Sequence, residues 1–155
     1  MKNIVFMLVT FLHNLFTVVW MGGLIVTVIS FLPAIKETLG PGPQTKKLMK
    51  AFQKRQRKWV YISMAVLILT GLLMSKQSEN VDHIFSFNTT YGTILSIKHI
   101  LVVLMIGITL FRTLVFGRNQ KEMPQQKERM SMMLILVNAL LAVFVLFTSA
   151  WLAVL

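Results

Sequence analysis

The chain has no cysteine among its 155 residues. Without thiols it cannot form disulfides, thiolate metal sites, iron–sulfur clusters or covalently attached c-type haem. Acidic residues are also scarce: there are five, against 16 lysines and arginines, and all five fall in predicted loops. The sequence offers no paired carboxylates, no serine–histidine–acid set and no phosphate-binding loop, which argues against hydrolysis and phosphoryl transfer. Redox chemistry through a bound cofactor stays open.

Charge of either sign is sparse for a soluble protein. Charged residues make up 14% of the chain, where soluble domains carry about a quarter. Hydrophobic residues reach 55% and the mean hydropathy is +0.71, so the composition predicts an integral membrane protein. The net charge of +11 would suggest a nucleic-acid partner in a soluble protein. Here the basic residues lie between apolar runs, which favours a role in membrane orientation and no nucleic acid.

Four apolar runs are long enough, or nearly so, to cross a bilayer. The predicted spans cover residues of about 4–32, 59–74, 92–116 and 130–155, with a basic cytoplasmic helix over about 45–58. We expect Pro33 to close the first span. Short connections between such spans predict an all-α membrane protein, an antiparallel four-transmembrane-helix bundle that forms one domain over 1–155.

The basic residues are concentrated in the first and third loops. The first loop holds eight lysines and arginines and the third holds five, while the opposite side has only Lys2, Lys76 and Lys98. Because cytoplasmic loops carry the excess of basic residues, both termini and the second loop are expected outside. The chain is thus predicted to be a multi-pass protein of the plasma membrane, surrounded by lipid, with extracytoplasmic termini.

A histidine inside the first span is the most informative polar residue. Placing His13 in a membrane is expensive, so it is expected to have a partner or a function. Trp20 follows two helical turns later on the same face. Gly22 and Gly23 remove side-chain bulk and allow another helix or a flat ligand to approach.

A second intramembrane histidine, His99, is expected at a similar depth. His13 lies ~14 Å along the first span and His99 ~10 Å along the third, which runs in the same direction. Two imidazoles of facing helices can hold one b-type haem through its iron. The preferred hypothesis is a haem b protein that transfers electrons to or from a quinone or a redox partner protein. His13 and His99 are its axial ligands, Trp20 and Gly23 shape the pocket, and Lys98 meets a propionate.

Two alternatives remain open. Imidazole and thioether groups suit copper(I), and Met21, Met74 and Met105 are intramembrane, so the protein could import or handle copper. It could also be a structural or assembly subunit, or a homo-oligomer, in which polar residues such as Asn138 only join helices. His83, in the second loop, is either a solvated residue or an additional ligand.

Two short motifs resemble a known superfamily. His13-x6-Trp20-x-Gly22-Gly23 resembles the opening of copper-resistance protein D domains and of the related HemJ-type protoporphyrinogen oxidases. Tyr91-Gly92-x-x-Leu95-x-x-Lys98 is similar to a stretch in the third span of these proteins.

The resemblance implies a four-helix membrane bundle with functional groups on the first and third spans. HemJ-type proteins bind haem b and use a first-span histidine and a third-span lysine, and His13 and Lys98 match those positions. The chain departs from that group at Ser30–Ala34, where HemJ-type proteins carry an arginine. The resemblance therefore implies the superfamily but argues against protoporphyrinogen oxidation.

Overall fold

The computed structural model describes residues 2–77, 87–116 and 124–155. Within these ranges every regular element is helical and no strand occurs. Four helical runs are long and apolar enough to cross a membrane: Asn3–Leu39, Pro43–Ser75, Thr90–Phe116 and Gln125–Leu152. The predicted all-α protein with four membrane helices is confirmed, whereas the outside location of both termini and the single domain over 1–155 stay predictions.

The first span is a continuous helical run with two wide turns. It consists of α1 (Lys2–Thr17), a first π-helical turn (Val18–Gly22), α2 (Gly23–Val26), a second π-helical turn (Thr27–Phe31) and α3 (Leu32–Leu39). Threonine hydroxyls that bond to the preceding turn bend helices, and two such bonds precede or open these turns. Thr17 Oγ1 donates to the His13 carbonyl at 2.8 Å, and Thr27 Oγ1 donates to the Gly23 carbonyl at 2.6 Å.

The prediction that Pro33 closes the first span is wrong, because the helix continues to Leu39. Proline in a regular helix lacks an N–H donor and clashes with the carbonyl four residues earlier. Pro33 instead lies in the first turn of α3, directly after the second π-helical turn, where its missing donor does little harm. The helix ends at Gly40, whose φ of 61° favours glycine.

The second helix, α4 (Pro43–Gln77), joins the predicted basic helix and the predicted second span into one element. It returns antiparallel along the first span and packs against it. Near the turn, the rings of Phe31 and Phe52 stack with centroids 3.7 Å apart. These two helices belong to one compact unit, Met1–Val81.

The second unit, Asp82–Leu155, contains α5 (Thr90–Phe116) and α6 (Gln125–Leu152), which pack against each other. Thr89 caps α5 by accepting a hydrogen bond from the Gly92 amide at 3.0 Å. Glu37 and Glu128, expected in loops, lie in α3 and α6 because the helices extend beyond the apolar runs.

Candidate functional site

His13 has an identified partner on the facing helix. Its Nδ1 lies 2.9 Å from Thr70 Oγ1 of α4, and Thr70 is buried. A β-carbon on Gly71 would lie 3.9 Å from His13 Cε1, so the imidazole ring rests against the backbone of α4. The first span thus places its histidine at the interface with the second helix. This agrees with the expectation that a histidine inside the membrane needs a partner.

The Thr70 contact selects a tautomer of His13. The Thr70 hydroxyl donates to the Val66 carbonyl at 2.7 Å, so its oxygen is available to accept from an Nδ1–H of His13. In that tautomer the lone pair is on Nε2, the form in which a neutral imidazole binds a metal. A hydrogen bond from the other ring nitrogen is the usual support of a metal-binding histidine.

Trp20 and Met21 lie on the first π-helical turn and are almost fully buried, with 1% and 3% of their surface exposed. This turn contacts α4. On α4, Ser63 and Met64 are buried to a similar degree. The first unit therefore places aromatic, thioether and hydroxyl groups in its buried part, and π-helical turns are frequent at such functional sites.

Gly23 takes part in a polar cluster nearer the turn between the helices. Gln56 Nε2 donates to the Gly23 carbonyl at 3.2 Å and to Thr27 Oγ1 at 2.9 Å. A β-carbon on Gly23 would lie 3.7 Å from Gln56 Nε2, an ordinary contact distance. Gly23 thus faces a glutamine of the second helix, and its role in a ligand pocket stays a prediction.

His99 and Lys98 belong to α5 in the second unit. His99 is exposed, and its Nδ1 donates to the Leu95 carbonyl at 2.7 Å. This bond also places the lone pair on Nε2. Lys98 is half-buried. His13 and His99 thus fall in different units, and their joint hold on one group stays a prediction.

Asn138 joins the helices of the second unit, as predicted. Its Nδ2 donates to Thr109 Oγ1 at 2.9 Å, and Thr109 in turn donates to the Met105 carbonyl at 2.8 Å. Asn138 and Thr109 are buried. The role of Asn138 as a link between helices is confirmed.

Among the residues that the structure describes, no three histidine, cysteine, aspartate or glutamate side chains form a group that could hold a metal ion. Methionine thioethers are not among these four side-chain types, yet they bind copper(I) well. His83, a predicted solvated residue or additional ligand, lies outside the described ranges.

Residues 50–152 match a known family, described as Copper resistance protein D. The chain belongs to the copper resistance protein D family. The match covers most of α4 and all of α5 and α6, including His99 and Lys98. It begins after His13 and Trp20, so the first-span motif is not part of it. No curated protein and no solved structure is similar enough to count as a match.

Membership of the copper resistance protein D family confirms one half of the resemblance. The link to HemJ-type oxidases stays a prediction, and neither the match nor the described residues support haem b or electron transfer. The family instead supports the copper alternative. Lipid contact follows from the four membrane helices, whereas the quinone, the redox partner protein and the oligomer stay predictions.

Three polar residues of α4 that are buried or half-buried were not predicted from the sequence. Gln56, Ser63 and Thr70 recur every seven residues in α4, two helical turns apart. His13, Trp20 and Thr27 recur at the same spacing in the first span. This shared seven-residue spacing was the available signal for a polar interface between the two helices.

Proposed function

We propose that the protein binds copper(I) inside the membrane and moves or stores it there. The observation that carries the proposal is membership of the copper resistance protein D family, combined with a first unit rich in soft ligands. Copper is the cargo of this activity and not a resident cofactor. The protein would act as a membrane copper handler without hydrolytic chemistry.

The proposed ligands are His13 Nε2 and, about two helical turns further along the same two helices, the thioethers of Met21 and Met64. The Thr70 contact at His13 Nδ1 supports the metal-binding tautomer. Met21 and Met64 are buried on the two facing helices of the same unit. Imidazole and thioether are the neutral side-chain groups that suit copper(I), and neutral ligands avoid placing further charge in the membrane.

Packing is the competing explanation of the two methionines, because methionine commonly fills irregular gaps. Methionine-to-leucine exchange separates the explanations. It keeps the volume and usually costs less than about 1.5 kcal/mol of stability, but it removes the sulfur. A packing role predicts unchanged copper binding in Met21→Leu and Met64→Leu.

The test is an anaerobic copper(I) titration of the purified protein against a competing chelator. We expect saturable binding that weakens in His13→Ala, Met21→Leu and Met64→Leu. Met7→Leu is the matched control, because Met7 lies in the same span and is 61% exposed. Equal affinity in all four variants, or no binding by the folded wild-type protein, would overturn the proposal.

The same preparation decides between copper and haem. Protein expressed in haem-replete cells is reduced with dithionite and its absorption spectrum recorded. We expect no Soret band. A Soret band that disappears in His13→Ala and His99→Ala would show that these histidines bind haem b and not copper.

A further inference from the structure

Three contacts fix one antiparallel register between the first span and α4. They pair His13 with Thr70, Thr27 with Gln56, and Phe31 with Phe52. Each step forward along the first span is matched by an equal step back along α4. The interface therefore has one constant alignment from its polar contact at His13 to the aromatic stack near the turn.

Trp20 and Ser63 are the midpoints of this alignment. Trp20 lies seven residues from both His13 and Thr27, and Ser63 lies seven residues from both Thr70 and Gln56. The two residues therefore lie at the same level, ~10 Å from the polar contacts on either side. Both are fully buried, with 1% and 0% of their surface exposed.

Within the part of the chain that the structure describes, the polar atoms of this pair have no hydrogen-bond partner. Trp20 Nε1 and Ser63 Oγ are buried and form no hydrogen bond with any described residue, including each other. Buried polar atoms in folded proteins are nearly always paired, because an unpaired one keeps the full penalty of losing its contact with water. Two unpaired polar atoms at one level of the interface could both be satisfied by one small polar molecule bound between them.

We propose that a single water molecule is bound between Trp20 and Ser63. The indole N–H can only donate and the serine hydroxyl can donate or accept. Water satisfies both, since its oxygen accepts from Trp20 Nε1 and it exchanges a second hydrogen bond with Ser63 Oγ. Internal waters typically make two to four such bonds. The two helices thus share a hydration site inside the membrane.

This site has a consequence that rests on the proposed function. The water lies at the level of Met21 and Met64, which follow Trp20 and Ser63 in sequence. It gives a copper ion a polar neighbour midway along the interface, between His13 and the Gln56 cluster. Losing the water would slow copper movement without removing a copper ligand.

The test observes the indole N–H of Trp20 directly. In the variant Trp59→Phe, Trp151→Phe, Trp20 is the one remaining tryptophan, and the two replaced rings are 54% and 46% exposed. With ¹⁵N-labelled indole in lipid nanodiscs, we expect an NMR cross-peak between the Nε1 proton and water. The cross-peak is expected to vanish in Ser63→Val, whose methyl groups fill the space, and to persist in Ser63→Thr.

Thr10→Val is the matched control, because Thr10 lies in the same span, ten residues before Trp20, and its hydroxyl donates to the Phe6 carbonyl of its own helix. It is expected to leave the Trp20 signal unchanged. Ser63→Ala provides a second test if Ser63→Val does not fold, with a shift of the Nε1 resonance as its readout. A folded protein without the water cross-peak, or with a direct Trp20–Ser63 contact instead, would overturn the hydration site.

Copper uptake by cells separates this inference from the proposed function. We expect Ser63→Ala to lose uptake rate while the purified variant binds copper(I) with wild-type affinity. If the wild-type protein fails to bind copper(I), the proposed function is refuted, whereas the NMR result for the water molecule still stands. Unchanged uptake in Ser63→Ala refutes the role of the water in copper movement.

Discussion

Gln56 of the second helix donates a hydrogen bond to Thr27 of the first span at 2.9 Å. The same amide also donates to the Gly23 carbonyl, which additionally accepts from the Thr27 hydroxyl. The Gly23 carbonyl, at the start of α2, thus receives support from the facing helix between the two π-helical turns. Gln56 therefore links the wide turns of the first span to its packing against α4.

Replacing Gln56 by leucine removes two hydrogen bonds between the helices. We expect the free energy of unfolding to fall by about 1–3 kcal/mol, because each net hydrogen bond contributes about 0.5–1.5 kcal/mol. Thermal unfolding in detergent, followed by circular dichroism, measures the loss. Gln53→Leu is the matched control on the same helix, and an equal loss in both variants would contradict the assigned role of Gln56.

Thr70 is expected to tune copper affinity through His13. Thr70→Val keeps the shape but removes the oxygen that holds His13 Nδ1. Loss of such an outer partner typically weakens metal binding by about 10–100-fold. Thr70→Ser retains the hydroxyl and should bind copper(I) nearly as the wild type does, in the competition titration described above. Equal affinities of the valine and serine variants would show that the Thr70 hydroxyl has no part in binding.

The four membrane helices could be predicted from the sequence because long apolar runs determine them almost alone. The polar contacts could not be predicted from the same pattern. Thr70 lies in a run of apolar residues, and its contact with His13 depends on the register of two packed helices. Hydrophobic periodicity describes each helix by itself and leaves that register open.

The end of the first span shows a second limit of the sequence. Because proline lacks a backbone N–H donor, Pro33 suggests that the helix ends there. The helix nevertheless continues to Leu39. The π-helical turn before Pro33 changes the pattern of backbone hydrogen bonds, and Thr27, which opens this turn, bonds to the Gly23 carbonyl and to Gln56. The match to the copper resistance protein D family begins at residue 50. The proposed roles of the first-span residues therefore depend on the structure and not on the family match.

Asn138 and Thr109 are expected to be energetically coupled. A double-mutant cycle with Asn138→Ala and Thr109→Ala should give a coupling energy of about 0.6 kcal/mol, with about 1.7 kcal/mol as the upper end for such pairs in membranes. The cycle of Asn138→Ala with Thr148→Ala is the control, since Thr148 donates to the Val145 carbonyl of its own helix, ten residues from Asn138. Coupling near zero for the first pair would remove Thr109 as the functional partner of Asn138.

Gly23 is expected to tolerate alanine. The added β-carbon would lie 3.7 Å from Gln56 Nε2, so no neighbour has to move. Alanine is favoured over glycine in a helix by about 1 kcal/mol, and the free energy of unfolding of Gly23→Ala should equal or slightly exceed that of the wild type. Gly71→Ala, with its β-carbon 3.9 Å from His13 Cε1, provides a second comparison. A clear loss of stability in Gly23→Ala would mean that the helices approach more closely than these distances.

The absence of cysteine makes the predicted orientation directly testable. We expect Val154→Cys, at a position 84% exposed, to react with a membrane-impermeant maleimide added outside intact cells. Lys47→Cys, exposed in the basic half of α4, should react only after permeabilisation, because basic segments face the cytoplasm. The wild-type chain has no thiol and gives the background. Labelling of Lys47→Cys from outside, with protection of Val154→Cys, would invert the topology and place the basic half of α4 on the extracytoplasmic side.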